Sequence, residues 1–357
     1  MMKIVTILGA RPQFVKAGSV SREIAKYDNL KEIIIHTGQH YDANMSDIFF
    51  NEMRISKPDY FLGIGGMSHG AMTGQMIEKI EEILVNEEPD WVLVYGDTNS
   101  TLAGAIAASK LHIKIAHVEA GLRSFNMNMP EEVNRILTDR ISTILFCPTQ
   151  VAVNNLKSEG VDKWHAQVEL SGDVMHDGAL FYKSLAEKPS DLNLDSEYVL
   201  STIHRAENTD SEERLTAIVE SLNEISERVV IVLPLHPRTK VKLETLPVKL
   251  SPRVKVIAPV GYLNMVWLIH NCQLVMTDSG GLQKEAFFFS KPCITLRDET
   301  EWVELIDSNF NILVGADKDA IIGAFNNHVF AKDFNVNLYG DGAASRHIVN
   351  VLMNYEK

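Results

Sequence analysis

Tyr95-Gly96-Asp97-Thr98-Asn99-Ser100-Thr101 is followed by His117-Val118-Glu119-Ala120-Gly121-Leu122-Arg123 and then by Pro130-Glu131-Glu132-Val133-Asn134-Arg135. The first two segments each close an apolar run of strand length, and small or polar residues then open toward a helix. Three acidic positions, Asp97, Glu119 and Glu131, and two arginines, Arg123 and Arg135, therefore fall where strands end and helices begin. In open α/β sheets that is where ligands bind. Carboxylates interleaved with arginines suit a site that moves a proton beside an anionic substrate.

Outward from this stretch the same rhythm repeats. Apolar runs at residues 4–8, 32–36, 91–95, 113–118, 144–147 and 168–170 predict strands, with helical segments between them such as 100–110 and 131–141. Lys188-Pro189-Ser190-Asp191-Leu192-Asn193 interrupts the pattern as a linker or hinge. Strands are then predicted at 198–203, 229–233, 254–257, 274–277, 293–296 and 312–314, and helices at 212–227, 262–270, 281–288 and 317–328. A last helix, 344–354, is expected to return to the first domain. The fold class is α/β, with two Rossmann-like doubly wound domains, residues 1–187 and 194–343, facing a central cleft.

The 357 residues suffice for two such domains, and 45% hydrophobic content fits well-cored ones. A net charge of −13, from 34 basic and 47 acidic side chains, argues against nucleic acid or an anionic membrane as a partner. Cys147, Cys272 and Cys293 lack metal or redox spacing and sit in apolar runs, so they read as buried thiols of a cytoplasmic protein.

Gly9-Ala10-Arg11-Pro12-Gln13-Phe14-Val15-Lys16 follows the first strand without the GxGxxG or GK[ST] patterns that signal a dinucleotide or ATP. It still places Arg11 at a helix mouth, favourable for phosphate, with Lys16 about one turn on. An ordinary surface helix explains the same charges. Thr277-Asp278-Ser279-Gly280-Gly281-Leu282-Gln283-Lys284-Glu285 is the counterpart in the second domain. There Ser279, Gly280 and Gly281 can meet a diphosphate and Glu285 a ribose, unless the glycines only serve a tight turn. Met265 suits contact with a flat base or simple core packing. His204-Arg205 and His236-Pro237-Arg238 end neighbouring strands, where histidine can pair with phosphate or give a proton to a leaving group, or merely cap. Asp97 alone reads equally well as a helix N-cap. No metal-ligand spacing is present, so no metal and no cofactor is signalled.

These motifs together, GARPQFVK, YGDTNSTLA, HVEAGLR, PEEVNR, HRAEN, TDSGGLQKEA and YGDGAASR, resemble the non-hydrolysing UDP-N-acetylglucosamine 2-epimerase family nearly end to end. The resemblance implies a glycosyltransferase-B type fold, a homodimer, and inversion at C2 of a UDP-linked N-acetyl sugar. UDP leaves to give a glycal and then re-adds. It implies Asp97, Glu119 and Glu131 as the carboxylates of the proton transfers and His204 as the group assisting the leaving diphosphate. Arg11, Lys16, Ser279, Gly280, Gly281 and Glu285 would hold UDP, with Arg123, Arg135, Arg205, His236 and Met265 also near the substrate.

Family members acting on UDP-N-acetylglucosamine usually show QHREM, HRREN and TERPE. This chain carries Tyr41, Ala206 and Trp302 where those motifs place arginine. Losing forked donors changes what is bound. The HRAEN and TEWVE variants look more like the branch acting on UDP-2,3-diacetamido-2,3-dideoxy-glucuronic acid, with UDP-N-acetylglucosamine as the alternative substrate. A glycosyltransferase, a hydrolysing epimerase and an inactive UDP-sugar sensor are the rival classes. Three grouped carboxylates exceed what group transfer needs, and an intact Asp97, Glu119, Glu131 and His204 speak against the sensor.

Overall fold

The computed structural model describes residues 1–39, 50, 54–194 and 196–355. The chain divides into two compact units, residues 1–178 with 337–357, and residues 179–336.

The first unit is built on β1 (Met2–Leu8), whose Ile4, Val5, Ile7 and Leu8 are wholly buried. A strand covered on both faces reads as a nearly continuous apolar run, and this is the mark of a parallel sheet under helices. After α1 (Arg11–Ile24) and β2 (Leu30–His36) come a short β3 (Tyr60–Phe61) and α2 (His69–Glu87). The chain continues through β4 (Trp91–Tyr95), α3 (Asn99–Lys110), β5 (Lys114–Val118), α4 (Pro130–Ile141) and β6 (Ile144–Cys147). Then follow α5 (Gln150–Ser158), β7 (Gln167–Leu170) and α6 (Val174–Lys183). The seven strands are all parallel, in the order β3-β2-β1-β4-β5-β6-β7. The order reverses between β1 and β4, and at such a point the following turns leave toward opposite faces of the sheet. The turns at Gly9 and Gly96 therefore flank the opening where the sheet can take a ligand.

The second unit repeats the scheme. Its elements are β8 (Tyr198–Thr202), α7 (Ala206–Thr209), α8 (Glu212–Ser226), β9 (Val230–Pro234), α9 (Pro237–Thr245) and β10 (Val254–Ile257). Next come α10 (Tyr262–Asn271), β11 (Leu274–Thr277), α11 (Gly280–Phe288), β12 (Cys293–Thr295), α12 (Val303–Asp307), β13 (Asn311–Leu313) and α13 (Lys318–Asn327). Six parallel strands run β10-β9-β8-β11-β12-β13, so the reversal lies between β8 and β11. Each unit has its own apolar core, formed around Ile7, Val92 and Val94 in the first and around Val199, Ile231 and Met276 in the second.

The final helix, α14 (Ala344–Met353), belongs to the first unit and packs on α1. Its first turn is held by Asp177, which accepts from the backbone N–H groups of Ala344 at 3.1 Å and Ser345 at 2.8 Å. The strand β3 escapes a periodicity reading because two residues carry no pattern. It is set by Asp59, whose side chain accepts from Ile34 N–H at 2.8 Å while its own N–H reaches Ile34 oxygen, also at 2.8 Å. No helix among the described residues is long and apolar enough to cross a membrane. The three cysteines are free and buried, and burial pushes their thiols up.

Candidate functional site

In the first unit the opening is organised by Gln13, a residue that no motif or period singles out. Its side-chain oxygen accepts from the N–H groups of Gly9 (2.8 Å) and Ala10 (3.1 Å). Its amide donates to Tyr95 oxygen (2.7 Å) and Thr101 hydroxyl (3.0 Å). One buried amide thus ties the turn after β1 to the turn after β4. Gly9 is required by proximity, because a Cβ there would lie 1.9 Å from the Ser100 hydroxyl.

Glu119 follows β5 in the left-handed region, φ 72°, a conformation rare outside glycine and concentrated at functional sites. Its carboxylate is ion-paired with the ammonium of Lys16. It lies over Gly96, where an added Cβ would sit 3.3 Å from Glu119 Oε2 and 3.6 Å from Lys16 Nζ. Gly96 itself needs its φ of 63°. Asp97 does not cap α3. Thr98 does, accepting from Thr101 N–H, so the Asp97 carboxylate is left to turn outward, about a third exposed. The structure therefore brings Glu119, Lys16, Asp97 and Arg11 to the ends of β1, β4 and β5.

The two arginines both turn to carboxylates of their own unit. Arg135 is ion-paired with Asp97 and, at 2.6 Å, with Glu132. Glu132 is in turn buried beneath the N–H groups of Ser124 (3.0 Å) and Phe125 (2.8 Å). Burial pushes the Glu132 carboxyl up, but these bonds and the Arg135 charge outweigh it and hold it below the usual range. Arg123 is spent within the fold. Its guanidinium, 1% exposed, forks onto Glu159 at 2.6 and 2.8 Å and reaches Asp139 at 2.8 Å. It acts as a strut inside the unit, tying the turn after β5 to Asp139 and Glu159. Sequence spacing placed it near the strand end without showing which way it turned. Glu131 stands exposed at the start of α4, where the helix dipole favours a carboxylate, with no hydrogen bond or ion pair among the described residues.

In the second unit the organiser is Asp278, fully buried at the end of β11. It accepts from the N–H groups of His204 (3.0 Å) and Arg205 (3.0 Å) and from Asn208 Nδ2 (3.2 Å). Its Oδ1 also faces His204 Nδ1 at 3.2 Å, so Nε2 of that ring is turned away from the carboxylate. Burial lowers the His204 pKa, the Asp278 charge partly opposing it. The His204 side chain is nonetheless 49% exposed. His236, at the end of the neighbouring strand, caps α9 by accepting from Arg238 N–H at 3.3 Å. Its Nδ1 is the acceptor, so the other ring nitrogen carries the proton.

Ser279 caps α11 as an acceptor from Leu282 N–H, which leaves its hydroxyl hydrogen to donate. Nothing lies within 4 Å of a Cβ built on Gly281, so that turn is open to an incoming group, with the helix dipole behind it. The Gly280 carbonyl is bound from below by the Trp302 indole N–H at 3.0 Å. Trp302 is buried, with the Lys284 ammonium 4.0 Å above its ring, so it does not simply stand where an arginine would reach outward. Glu285 is buried, and one of its oxygens accepts the Tyr262 hydroxyl at 2.8 Å. Met265 is half-buried on α10. Tyr41 lies outside the described residues. Among those described, no three His, Cys, Asp or Glu side chains converge as a metal site would need.

The fold is that of two doubly wound parallel sheets, with carboxylates after β4 and β5 in one and an open glycine turn after β11 in the other. A family model for UDP-N-acetylglucosamine 2-epimerase matches residues 22–353, and the chain belongs to this family. It is 58% identical over 353 residues to the UDP-2,3-diacetamido-2,3-dideoxy-D-glucuronate 2-epimerase of Pseudomonas aeruginosa, covering 98% of this chain and 99% of that one. A solved UDP-GlcNAc 2-epimerase of Methanocaldococcus jannaschii, in complex with UDP-GlcNAc and UDP, superimposes with TM-score 0.87 at 44% identity, over 99% of this chain and all of that one. The enzyme of Neisseria meningitidis bound to UDP-GlcNAc gives the same TM-score at 32% identity, with coverage of 99% and 100%.

Proposed function

We propose that the chain is a non-hydrolysing UDP-sugar 2-epimerase acting on UDP-2,3-diacetamido-2,3-dideoxy-glucuronic acid and giving the manno epimer, for a surface polysaccharide. The observation that carries the reading is that Asp97 and Glu119 follow neighbouring strands of one sheet and are each ion-paired with a cation, Arg135 and Lys16. A carboxylate at Asp97 or Glu119 takes the proton from C2 as the C1–O bond to UDP breaks, the C2–H electrons forming the C1=C2 bond of a glycal. Protonation of C2 on the other face and return of UDP to C1 complete the inversion. Glu131, exposed at the head of α4, is assigned to the same proton traffic.

His204 is assigned to the leaving group. Asp278 orients it by Nδ1, and an anionic diphosphate beside Nε2 would favour the imidazolium form that burial otherwise disfavours. Ser279, Gly280 and Gly281 take the diphosphate with Arg11, Arg205 and His236, while Glu285 takes the ribose and Met265 the base. Arg135 holds Asp97 in place. Residues 1–178 with 337–357 are assigned the acid–base groups and 179–336 the nucleotide-binding ones. A homodimer in the cytoplasm is the expected setting.

The substrate assignment is supported by the name of the Pseudomonas relative and by Ala206 and Trp302 in place of arginine. Proton NMR in deuterated water tests it with each UDP-sugar in turn. Deuterium at C2 and a manno product from the diacetamido-uronate alone support both class and substrate. The same outcome from UDP-N-acetylglucosamine alone keeps the class and overturns the sugar, and exchange with neither sinks the reading.

A further inference from the structure

His117 lies within β5 and is wholly buried. Its two ring nitrogens face two groups that only accept. Nδ1 is 2.7 Å from Asp139 Oδ1, and Nε2 is 2.8 Å from the carbonyl oxygen of Gly96. A neutral imidazole has one N–H and one lone pair. In that form one contact would press a lone pair against an acceptor in a dry interior, which is costly. With Asp139 ionised, both contacts are satisfied at once only by a ring with two protons.

The surroundings supply the counter-charge. Asp139 Oδ2 accepts from Gly121 N–H at 3.2 Å and pairs with Arg123 at 2.8 Å, and Arg123 also pairs with Glu159. Burial pushes the Asp139 carboxyl up, but His117 and Arg123 outweigh it and hold it low. Two cations, His117 and Arg123, thus face two carboxylates, Asp139 and Glu159. The nearby Cys147 on β6 stays a thiol, since burial pushes it up.

The clamped residue matters more than the clamp. Gly96 donates its N–H to Val118 oxygen at 3.0 Å and gives its carbonyl to His117. It is fastened to β5 on both sides, directly before Asp97 and directly under the Glu119 carboxylate. We propose that His117 is a positioning residue, a buried imidazolium that pins the Gly96 carbonyl and so sets the placement of Asp97 relative to Glu119. This rests on the epimerase reading for its consequence, though not for its chemistry.

The chemistry is read without substrate. In protein carrying isotope-labelled histidine, NMR is expected to show an N–H on both ring nitrogens of His117, and a ring carrying only one overturns the proposal. The consequence is read in His117→Leu and His117→Gln, each checked for folding by near-ultraviolet circular dichroism. Because small misplacements of reacting groups are costly, His117→Leu should lower kcat about 100-fold while UDP affinity and KM stay within about twofold. His117→Gln, which keeps one donor for the Gly96 carbonyl, should recover part of the loss. A folded His117→Leu protein with normal kcat, or with UDP affinity lost in parallel, overturns the proposal. Where His117→Leu does not fold, the ring protonation of the unaltered protein decides. Failure of the unaltered protein to turn over either UDP-sugar would remove the function proposed above and leave the protonation result standing.

Discussion

The two switch points share a topology and differ in how they use charge. In the first unit nearly every ionisable side chain near the opening is knitted to another: Lys16 to Glu119, Arg135 to Asp97 and Glu132, Arg123 to Asp139 and Glu159. In the second the buried Asp278 is consumed by backbone N–H groups, Asn208 and one histidine, while His204, Arg205 and His236 remain exposed. Knitted charges fix geometry, as proton transfer requires. Exposed donors around an open helix terminus receive an anion, and their exact placement matters less. Under the function proposed above, one sheet would carry the chemistry and the other the binding.

The largest effect that would break this contrast is at Glu119. Glu119→Gln should lower turnover by roughly 10²–10⁴-fold with UDP affinity nearly unchanged, as steady-state kinetics and calorimetry would read. Equal losses in both would mean that the first unit binds as much as it reacts. Next comes Arg123→Ala, which strands Asp139 and Glu159 and should cost about 3–5 kcal/mol in urea unfolding. A loss of UDP affinity without loss of stability would return Arg123 to the substrate.

Acid sharpens the contrast. His36, at the end of β2, packs between Phe14, tilted against it, and Phe61, edge-on to it, and accepts from Gly38 N–H at 3.0 Å, so it is held neutral. Burial lowers its pKa to about 4. The folded value lies below the unfolded one, so the unfolded chain binds the proton first. Stability is intact above about 6.5 and is lost as pH falls toward about 4, by about 3 kcal/mol. Replacing His36 by Phe should flatten the urea midpoint over that window, and an unchanged slope would acquit His36. The smallest effect is Ser279→Ala, which removes the cap of α11 at about 1 kcal/mol and weakens UDP binding, with the proton-transfer step spared. Slower deuterium exchange at saturating substrate would contradict that division.

The elements were legible where periodicity is strong. Runs such as 91–95 and 274–277 appear as β4 and β11 at the expected residues, because a strand buried on both faces must be apolar throughout. Pro12 opens α1 where its missing N–H costs nothing. The glycine turn at Gly96 was legible too, since its positive φ leaves few other residues possible. Gln13, His117, Asp139 and Asp278 were not. A polar side chain in a strand or helix has no period that tells which neighbour completes its hydrogen bonds.

The sequence by itself determined the α/β class, the family, and which strand ends carry carboxylates, histidines and glycines, because these are matters of residue type and spacing along one chain. Only the tertiary structure decided that Arg123 turns inward while Glu119 is held at φ 72° beside Lys16, and that one histidine joins β4 to β5. Those outcomes depend on which buried acceptors and donors meet once the strands pair. The pairing β4–β5–β6 brings Gly96, His117 and Asp139 together from segments that the sequence keeps apart.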